Sequence, residues 1–404
     1  MTGNNAWKAR GDKVFIQTYN RFPAAMVKGS GCRLWDADGK EYLDFLSGIA
    51  VCALGHSHPA VTEAVCRQAG SLMHVSNLFY TAPQIELAEL LIANSFADRV
   101  FMANSGAEAN EAAIKLARIH SGAGRFEIIS LAGSFHGRTL ATVAATGQPK
   151  FHEGFEPLPQ GFVHAEFGDP AALEGLIKDQ TCAILCEPLQ GESGVRPLEA
   201  SYLRAIRNLC DKHDLLLIFD EVQTGMGRTG TLFAYEQLGV TPDIMTVAKA
   251  LGNGLPIGAM LTTDKIAASL AVGTHASTFG GNPVAAAAAV ATMKLILEGD
   301  FLNTVQKRGK YLAGKLEEVA GRFPDFATGV RGRGLLLGLI LTEKGIGLGA
   351  AIVTRLFEQG VLINFAGNRV LRFIPPLVVS REEVDLMIGA LIDVLDNINL
   401  EESS

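Results

Sequence analysis

The chain has 404 residues, 48% of them hydrophobic and 19% charged, with a formal net charge of −7. That length exceeds what one small core organises and suits two packed domains of unequal size, and the apolar content excludes a disordered chain. The acidic balance excludes the basic footprint of a nucleic-acid binder, so small anionic substrates must be held by locally placed Arg or Lys.

Taken from the N-terminus, Lys8, Arg10, Asp12 and Lys13 fall together without an apolar core, so no secretory signal is read there. The turn Asp38-Gly39 between Arg33–Asp36 and Glu41–Phe45 predicts a hairpin. His56 and His58 lack a matching acid cluster and are read as structural, with no metal site expected. Beyond residue 55, helical periodicity at Ile85–Ile92 and Glu108–Arg118 alternates with short apolar runs at Val100–Met102, Glu127–Leu131, Ala183–Cys186, Leu215–Phe219 and Ile244–Val247. This alternation predicts an α/β fold with a mostly parallel sheet covered on both faces. After about residue 285 the spacing predicts a long Ala-rich helix, a Gly-rich strand at Gly334–Leu341, another helix, two short strands around Val361 and Val370, and a last helix started by a Ser380/Glu383 capping box. The predicted division is a large domain over 55–285 and a small domain assembled from 1–54 and 286–404. The Ala-rich run 283–293 is the longest uncharged apolar stretch, far short of the roughly 20 residues that span a bilayer. Six scattered cysteines with no C-x-x-C pair predict reduced thiols and a cytoplasmic location.

The strongest chemical signal is Leu215-Leu216-Leu217-Ile218-Phe219-Asp220-Glu221-Val222-Gln223, followed downstream by Val247-Ala248-Lys249-Ala250-Leu251-Gly252. An acid at the C-terminal end of a buried parallel strand faces the crevice where α/β sheets place ligands, and a lysine just past another strand can reach the same crevice. A pyridoxal cofactor wants this pair: an amine to condense with its aldehyde, and a carboxylate to keep its ring nitrogen protonated. Burial would favour loss of the lysine proton near neutral pH. Asn104-Ser105-Gly106-Ala107-Glu108 follows a strand and opens a helix, a geometry that offers backbone N–H groups to a phosphate, although Ser105 and Glu108 also fit a plain capping box. His275–Asn282 supplies hydroxyls and glycines for a second phosphate contact. Arg138 in Phe135-His136-Gly137-Arg138-Thr139, and Arg372 in Leu371-Arg372-Phe373-Ile374-Pro375-Pro376, are candidate carboxylate clamps, or else structural ion pairs.

In this order the motifs resemble those of class III (ornithine-type) aminotransferases, most closely the acetylornithine and succinylornithine group. The resemblance runs almost end to end, through Gly48-Ile49-Ala50, Leu54-Gly55-His56-Ser57-His58-Pro59, Ser105–Asn110, Phe135–Thr139, Glu187-Pro188-Leu189-Gln190-Gly191-Glu192, Asp220–Arg228, Ala248–Gly252, Ser277–Pro283 and Arg372–Leu377. It implies fold type I, with a seven-stranded, mostly parallel sheet in the large domain and a small domain from both chain ends. It also implies a homodimer with shared active sites and pyridoxal 5'-phosphate as cofactor. By position, Lys249 is the Schiff-base lysine and Asp220 the partner of the pyridine nitrogen. Val222 and Phe135 sandwich the ring and Gln223 approaches its phenolic oxygen. Ser105, Gly106 and Ala107 hold the phosphate, with Thr278 reaching it from the neighbouring subunit, and Ser277 sits beside the substrate. Arg138 binds the α-carboxylate of N-acetylornithine, or glutamate's side-chain carboxylate. Arg372 binds the α-carboxylate of glutamate or 2-oxoglutarate, Glu192 neutralises Arg372 when the amine substrate is present, and Tyr19 helps with the substrate's distal end.

The resemblance implies transfer of an amino group from N2-acetyl-L-ornithine to 2-oxoglutarate, a step of arginine biosynthesis. Succinylornithine, free ornithine, 4-aminobutyrate and N-acetyl-lysine-type donors stay open at this point. Ala107 stands where many relatives have Thr, Ser193 where Gly is usual, and Phe279 where Tyr or His is usual. An NAD-dependent dehydrogenase is disfavoured because no Gly-x-Gly-x-x-Gly follows the first strand.

Overall fold

The structure is a computed structural model that describes residues 3–402, with side chains through 398. Near the N-terminus, strands β1 (Met26–Ser30), β2 (Arg33–Asp36) and β3 (Glu41–Asp44) form an antiparallel meander. Gly39, at φ 86°, makes the expected turn between the last two.

The central strands follow: β4 (Arg99–Ala103), β5 (Glu127–Leu131), β6 (Phe162–Ala165) and β7 (Thr181–Cys186). A small hairpin, β8 (Leu189–Gln190) and β9 (Arg196–Pro197), precedes β10 (Leu216–Asp220), β11 (Ile244–Val247) and β12 (Gly258–Thr262). Apart from the hairpin these make one seven-stranded sheet in the order β4-β12-β11-β10-β7-β5-β6. Only β12 runs antiparallel to its neighbours. Every residue of β5, β7, β10, β11 and β12 is buried. That explains why these strands read as unbroken apolar runs, with helices covering both faces.

The C-terminal strands are β13 (Ala327–Arg333), β14 (Leu336–Leu341), β15 (Val361–Leu362), β16 (Asn364–Ala366) and β17 (Val370–Phe373). Four of them form the sheet β13-β14-β17-β16, while β15 joins the N-terminal meander by pairing parallel to β3. The strand expected over Gly334–Leu341 is β14, beginning two residues later at Leu336, and the unexpected β13 pairs with it as the first arm of a hairpin. Gly334 at φ 55° turns the chain, and a Cβ there would lie 2.5 Å from the Thr229 carbonyl carbon. The long Ala-rich helix is likewise two helices, Pro283–Leu297 and Phe301–Arg322, broken at Gly299 with φ 54°. The first packs its small side chains against the helices Pro59–Ala69 and Ala82–Ala93. The last helix opens on the predicted capping box: Glu383 N–H donates to Ser380 Oγ at 3.1 Å, and Ser380 N–H to Glu383 Oε2 at 2.9 Å.

Between β3 and the large sheet the motif Gly48-Ile49-Ala50 takes a conformation that its residue types do not announce. Ser47, Gly48, Ile49 and Ala50 all have positive φ, at 47°, 64°, 65° and 62°, forming one turn of left-handed helix. For the three residues that carry a Cβ this conformation costs about 1–2 kcal/mol each.

Candidate active site

The C-terminal ends of β7, β10 and β11 open onto a cavity of about 320 Å³. Lys249, Asp220, Val222, Gln223, Phe135, Glu192, Ser105, Gly106 and Ala107 all line it, together with Asn110, His136, Glu187 and Val51. This is the crevice that open parallel sheets offer to ligands.

Lys249 follows β11 at a tight step: Ala248 has φ −163° and ψ −141°, and Lys249 itself has φ 45°. A lysine in the left-handed region is strained, and such strain concentrates at functional positions. Burial lowers the Lys249 ammonium below the ordinary lysine range; Glu192 opposes that shift, Arg372 reinforces it, and Asp220 and Glu187 also oppose it.

Asp220 ends β10 and is buried. Its Oδ2 accepts from Asn110 Nδ2 at 2.8 Å and faces His136 Nδ1 at 2.8 Å, while its Oδ1 accepts from Val222 N–H at 3.0 Å. Asn110 is fixed in turn, donating to the His136 carbonyl at 2.8 Å and accepting from Thr246 Oγ1 at 2.7 Å. Three hydrogen-bonded groups thus hold one carboxylate at one height, and Thr246 steadies one of them. Glu221 points the other way and ties down a loop, its carboxylate accepting from Ala234 N–H, Tyr235 N–H and Thr224 Oγ1.

The helix Gly106–Ser121 begins at the cavity. Ser105 Oγ accepts from Glu108 N–H at 3.2 Å, but Glu108 Oε2 accepts from Asn104 N–H at 2.9 Å rather than from Ser105. The capping box is therefore half formed, and its carboxylate braces the residue before the cap. The first two N–H groups of the helix, at Gly106 and Ala107, have no partner among the described residues. A Cβ on Gly106 would lie 2.7 Å from Val222 Cγ1, so only glycine lets Val222 lean against the helix start. Two open N–H groups at a positive dipole end fit a phosphate. The chemistry of the remaining donors, an amine of lowered proton affinity and a braced carboxylate, fits the rest of a pyridoxal phosphate.

Arg372 lies on β17 and is fully buried. Its Nη1 donates to Glu192 Oε1 at 2.7 Å and to the Gly191 carbonyl at 2.8 Å, and its Nε to Asn364 Oδ1 at 3.1 Å. Gln223 bridges the pair, donating to Glu192 Oε1 at 3.2 Å. Burial pushes the Glu192 carboxyl up, but Arg372, Lys249 and Gln223 outweigh it and hold it at about 2. Nη2 of Arg372 is buried without a partner.

Three of the expected residues are exposed and do not line this cavity in the single chain. Arg138 stacks on Phe151, with 4.0 Å from its guanidinium carbon to the ring centroid, and on Phe135 at 5.3 Å. Tyr19 is 71% exposed in the N-terminal segment. Thr278 is exposed, and neighbouring Ser277 accepts from Asn104 Nδ2 at 3.2 Å. Asn110, His136, Glu187 and Asn364 belong to the site and were not singled out. The first three lie inside the motifs Ser105–Asn110, Phe135–Thr139 and Glu187–Glu192, whereas Asn364 carries no local signal. The His56–Asp44 contact, 2.6 Å from Nε2 to Oδ2, gives that histidine a tying role.

Comparison with known proteins places this geometry. Residues 15–395 match the family Aminotransferase class-III. The chain is 50% identical over 389 residues to the acetylornithine aminotransferase of Myxococcus xanthus, covering 95% of this chain and 96% of that protein. It superposes on the ornithine aminotransferase of Toxoplasma gondii, a structure with PLP in partial occupancy at its active site, with a TM-score of 0.94 at 33% identity, covering 100% of this chain and 97% of that one. The N-acetylornithine aminotransferase of Stenotrophomonas maltophilia gives 0.84 at 39% identity, covering 97% and 99%. The chain belongs to the class-III aminotransferases.

Proposed function

We propose that this pyridoxal-phosphate-dependent transaminase moves the terminal amino group of N2-acetyl-L-ornithine to 2-oxoglutarate, giving N-acetyl-L-glutamate 5-semialdehyde and L-glutamate in arginine biosynthesis. The observation that carries the reading is the buried Arg372 guanidinium closed by Glu192 beside Lys249. A transaminase that accepts both a carboxylate-bearing and a carboxylate-free reacting end needs an arginine that can be covered. An uncovered buried guanidinium would cost several kcal/mol.

When bound, the cofactor supplies an electrophilic aldehyde and an electron-withdrawing ring. Lys249 holds it and is the base that moves the proton at the substrate's reacting carbon. Asp220, braced by Asn110 and His136, keeps the ring nitrogen protonated. Phe135 and Val222 flank the ring, Gln223 serves its phenolic oxygen, and Ser105, Gly106 and Ala107 take the phosphate. Glu192 covers Arg372 while the acylornithine is bound and releases it for glutamate or 2-oxoglutarate. Arg138 takes the acylornithine α-carboxylate, with Ser277 and Tyr19 at the distal end.

The protein works, in this reading, as a cytoplasmic homodimer in which Thr278 serves the partner's phosphate. Its division into 55–285 and a unit from 1–54 with 286–404 goes with that assembly. The support is an exposed apolar surface: Leu78, Phe79 and Tyr80 are 86%, 65% and 94% exposed, more than a monomer ordinarily leaves open. They adjoin the Thr278 loop through Asn77, whose Nδ2 donates to the Ser277 carbonyl at 2.9 Å. No helix among the described residues is long and apolar enough to cross a membrane.

The test is a panel of amine donors with 2-oxoglutarate, ranked by kcat/KM. N2-acetylornithine is expected to lead. A higher value for free ornithine, 4-aminobutyrate, succinylornithine or an N-acetyl-lysine-type donor would replace this donor assignment.

A further inference from the structure

The left-handed turn Ser47–Ala50 leads directly into Val51, which lines the cavity with Lys249. A plain connection from β3 into the large sheet needs no such conformation, least of all at β-branched Ile49, so something must hold it. Two side chains do. Asp44, buried at the end of β3, accepts from Leu46 N–H and Ser47 N–H at 2.8 Å each through Oδ1, and its Oδ2 meets His56 Nε2 at 2.6 Å. His56 is itself anchored, exchanging backbone hydrogen bonds with Gly31 at 2.8 and 3.1 Å. From the other side Ser47 Oγ donates to the Ile374 carbonyl at 2.6 Å, two residues beyond Arg372. Neither Asp44 nor Ser47 lines the cavity.

We propose that Asp44 and Ser47 are positioning residues for the substrate: they clamp the left-handed turn so that Val51 stands as an apolar wall against the methylene chain of the amine donor. Strain of this kind persists only where the surroundings over-determine it, and here it is spent beside the reacting centre. The clamp is separate from the cofactor's holders, since Lys249, Asp220 and Ser105–Ala107 sit on other elements. The proposal rests on the transaminase reading but not on which ω-amine is preferred.

The experiment uses holoenzyme and whichever amine donor the wild-type protein turns over best. Asp44→Ala is expected to raise the donor KM about 10-fold or more while kcat stays within about 3-fold, because misplacing one wall by about an ångström weakens binding geometry. Cofactor affinity, read by absorbance titration, is expected to stay within about 2-fold. Adding Ala50→Gly to Asp44→Ala is expected to recover about 3-fold or more of the lost kcat/KM, because glycine adopts positive φ without penalty. Cofactor affinity falling as far as donor affinity, or no rescue by Ala50→Gly, overturns the proposal. If Asp44→Ala does not fold, Ser47→Ala carries the test: a donor KM raised several-fold with cofactor affinity intact supports the clamp, and an unchanged KM overturns it. Wild-type protein inactive toward every ω-amine would instead reject the transaminase donor reading, which the same assays show separately.

Discussion

Asp220 and Glu221 are adjacent acids with opposite duties, and strand alternation is the cause. Asp220 reaches the cavity and is braced by Asn110 and His136, whereas Glu221 faces away and pins Ala234 and Tyr235. Asp220→Asn is therefore expected to lower kcat by several orders of magnitude without lowering the melting temperature much, and Lys249→Ala to abolish turnover. Glu221→Gln should do the reverse, costing stability while folded protein keeps its rate. Half-reaction rates near wild type in Asp220→Asn or Lys249→Ala would reject those roles. Glu192→Ala is expected to slow the acylornithine half-reaction at least about 10-fold more than the glutamate one, since it leaves Arg372 uncovered only when no substrate carboxylate arrives. Equal losses in single-turnover measurements would count against the switch. At this scale the sequence displayed residues at strand ends and helix starts, because position along an element dictates where they point. It could not display Asn364 on Arg372, a side chain whose partner is set by sheet pairing.

Elements were legible where their pattern was continuous. β5 and β11 fall where apolar runs placed them, while β12 was not foreseen, because its antiparallel course is decided by which neighbour it finds. Gly334 marks a second failure of pattern, since a glycine that turns the chain looks the same in sequence as one inside a strand. Gly334→Ala should lower stability by about 2–4 kcal/mol, through positive φ and collision with the Arg228–Thr229 backbone; a denaturant midpoint unchanged from wild type would contradict this. Ser380→Ala, which loses one half of a formed capping box, should cost about 1 kcal/mol. The tie between β3 and the loop at His56 gives a pH signature. The hydrogen bond that His56 donates to the Asp44 carboxylate raises its imidazolium to about 10, with burial opposing. Its folded value exceeds the unfolded one, near 6.5. The stabilisation is therefore complete below about pH 6.5 and is lost as pH rises through about 10. Thermal melts of wild type should fall across that window more steeply than those of His56→Gln; parallel slopes would show that the tie contributes nothing.

For the whole molecule, the mostly parallel sheet was legible because alternating strands and helices permit few other architectures, whereas its seven strands were legible only through the family resemblance. The exposed positions of Tyr19, Arg138 and Thr278 were not, because a pattern along one chain does not say which surface meets another. If a second copy covers Leu78, Phe79 and Tyr80, Leu78→Arg should shift sedimentation from dimer toward monomer and lower activity with it. A variant that sediments as wild type would remove that surface from the assembly.

The pairing of β3 with β15 also has a bearing on how the protein is made. Until residues 361 and 362 leave the ribosome, the outer edge of β3 has no neighbour to bond, so the meander that is synthesised first is finished almost last. A nascent chain stalled before that point would carry a bare strand edge open to unwanted pairing. The time taken to synthesise the whole stretch between β3 and β15 thus sets how long that hazard lasts.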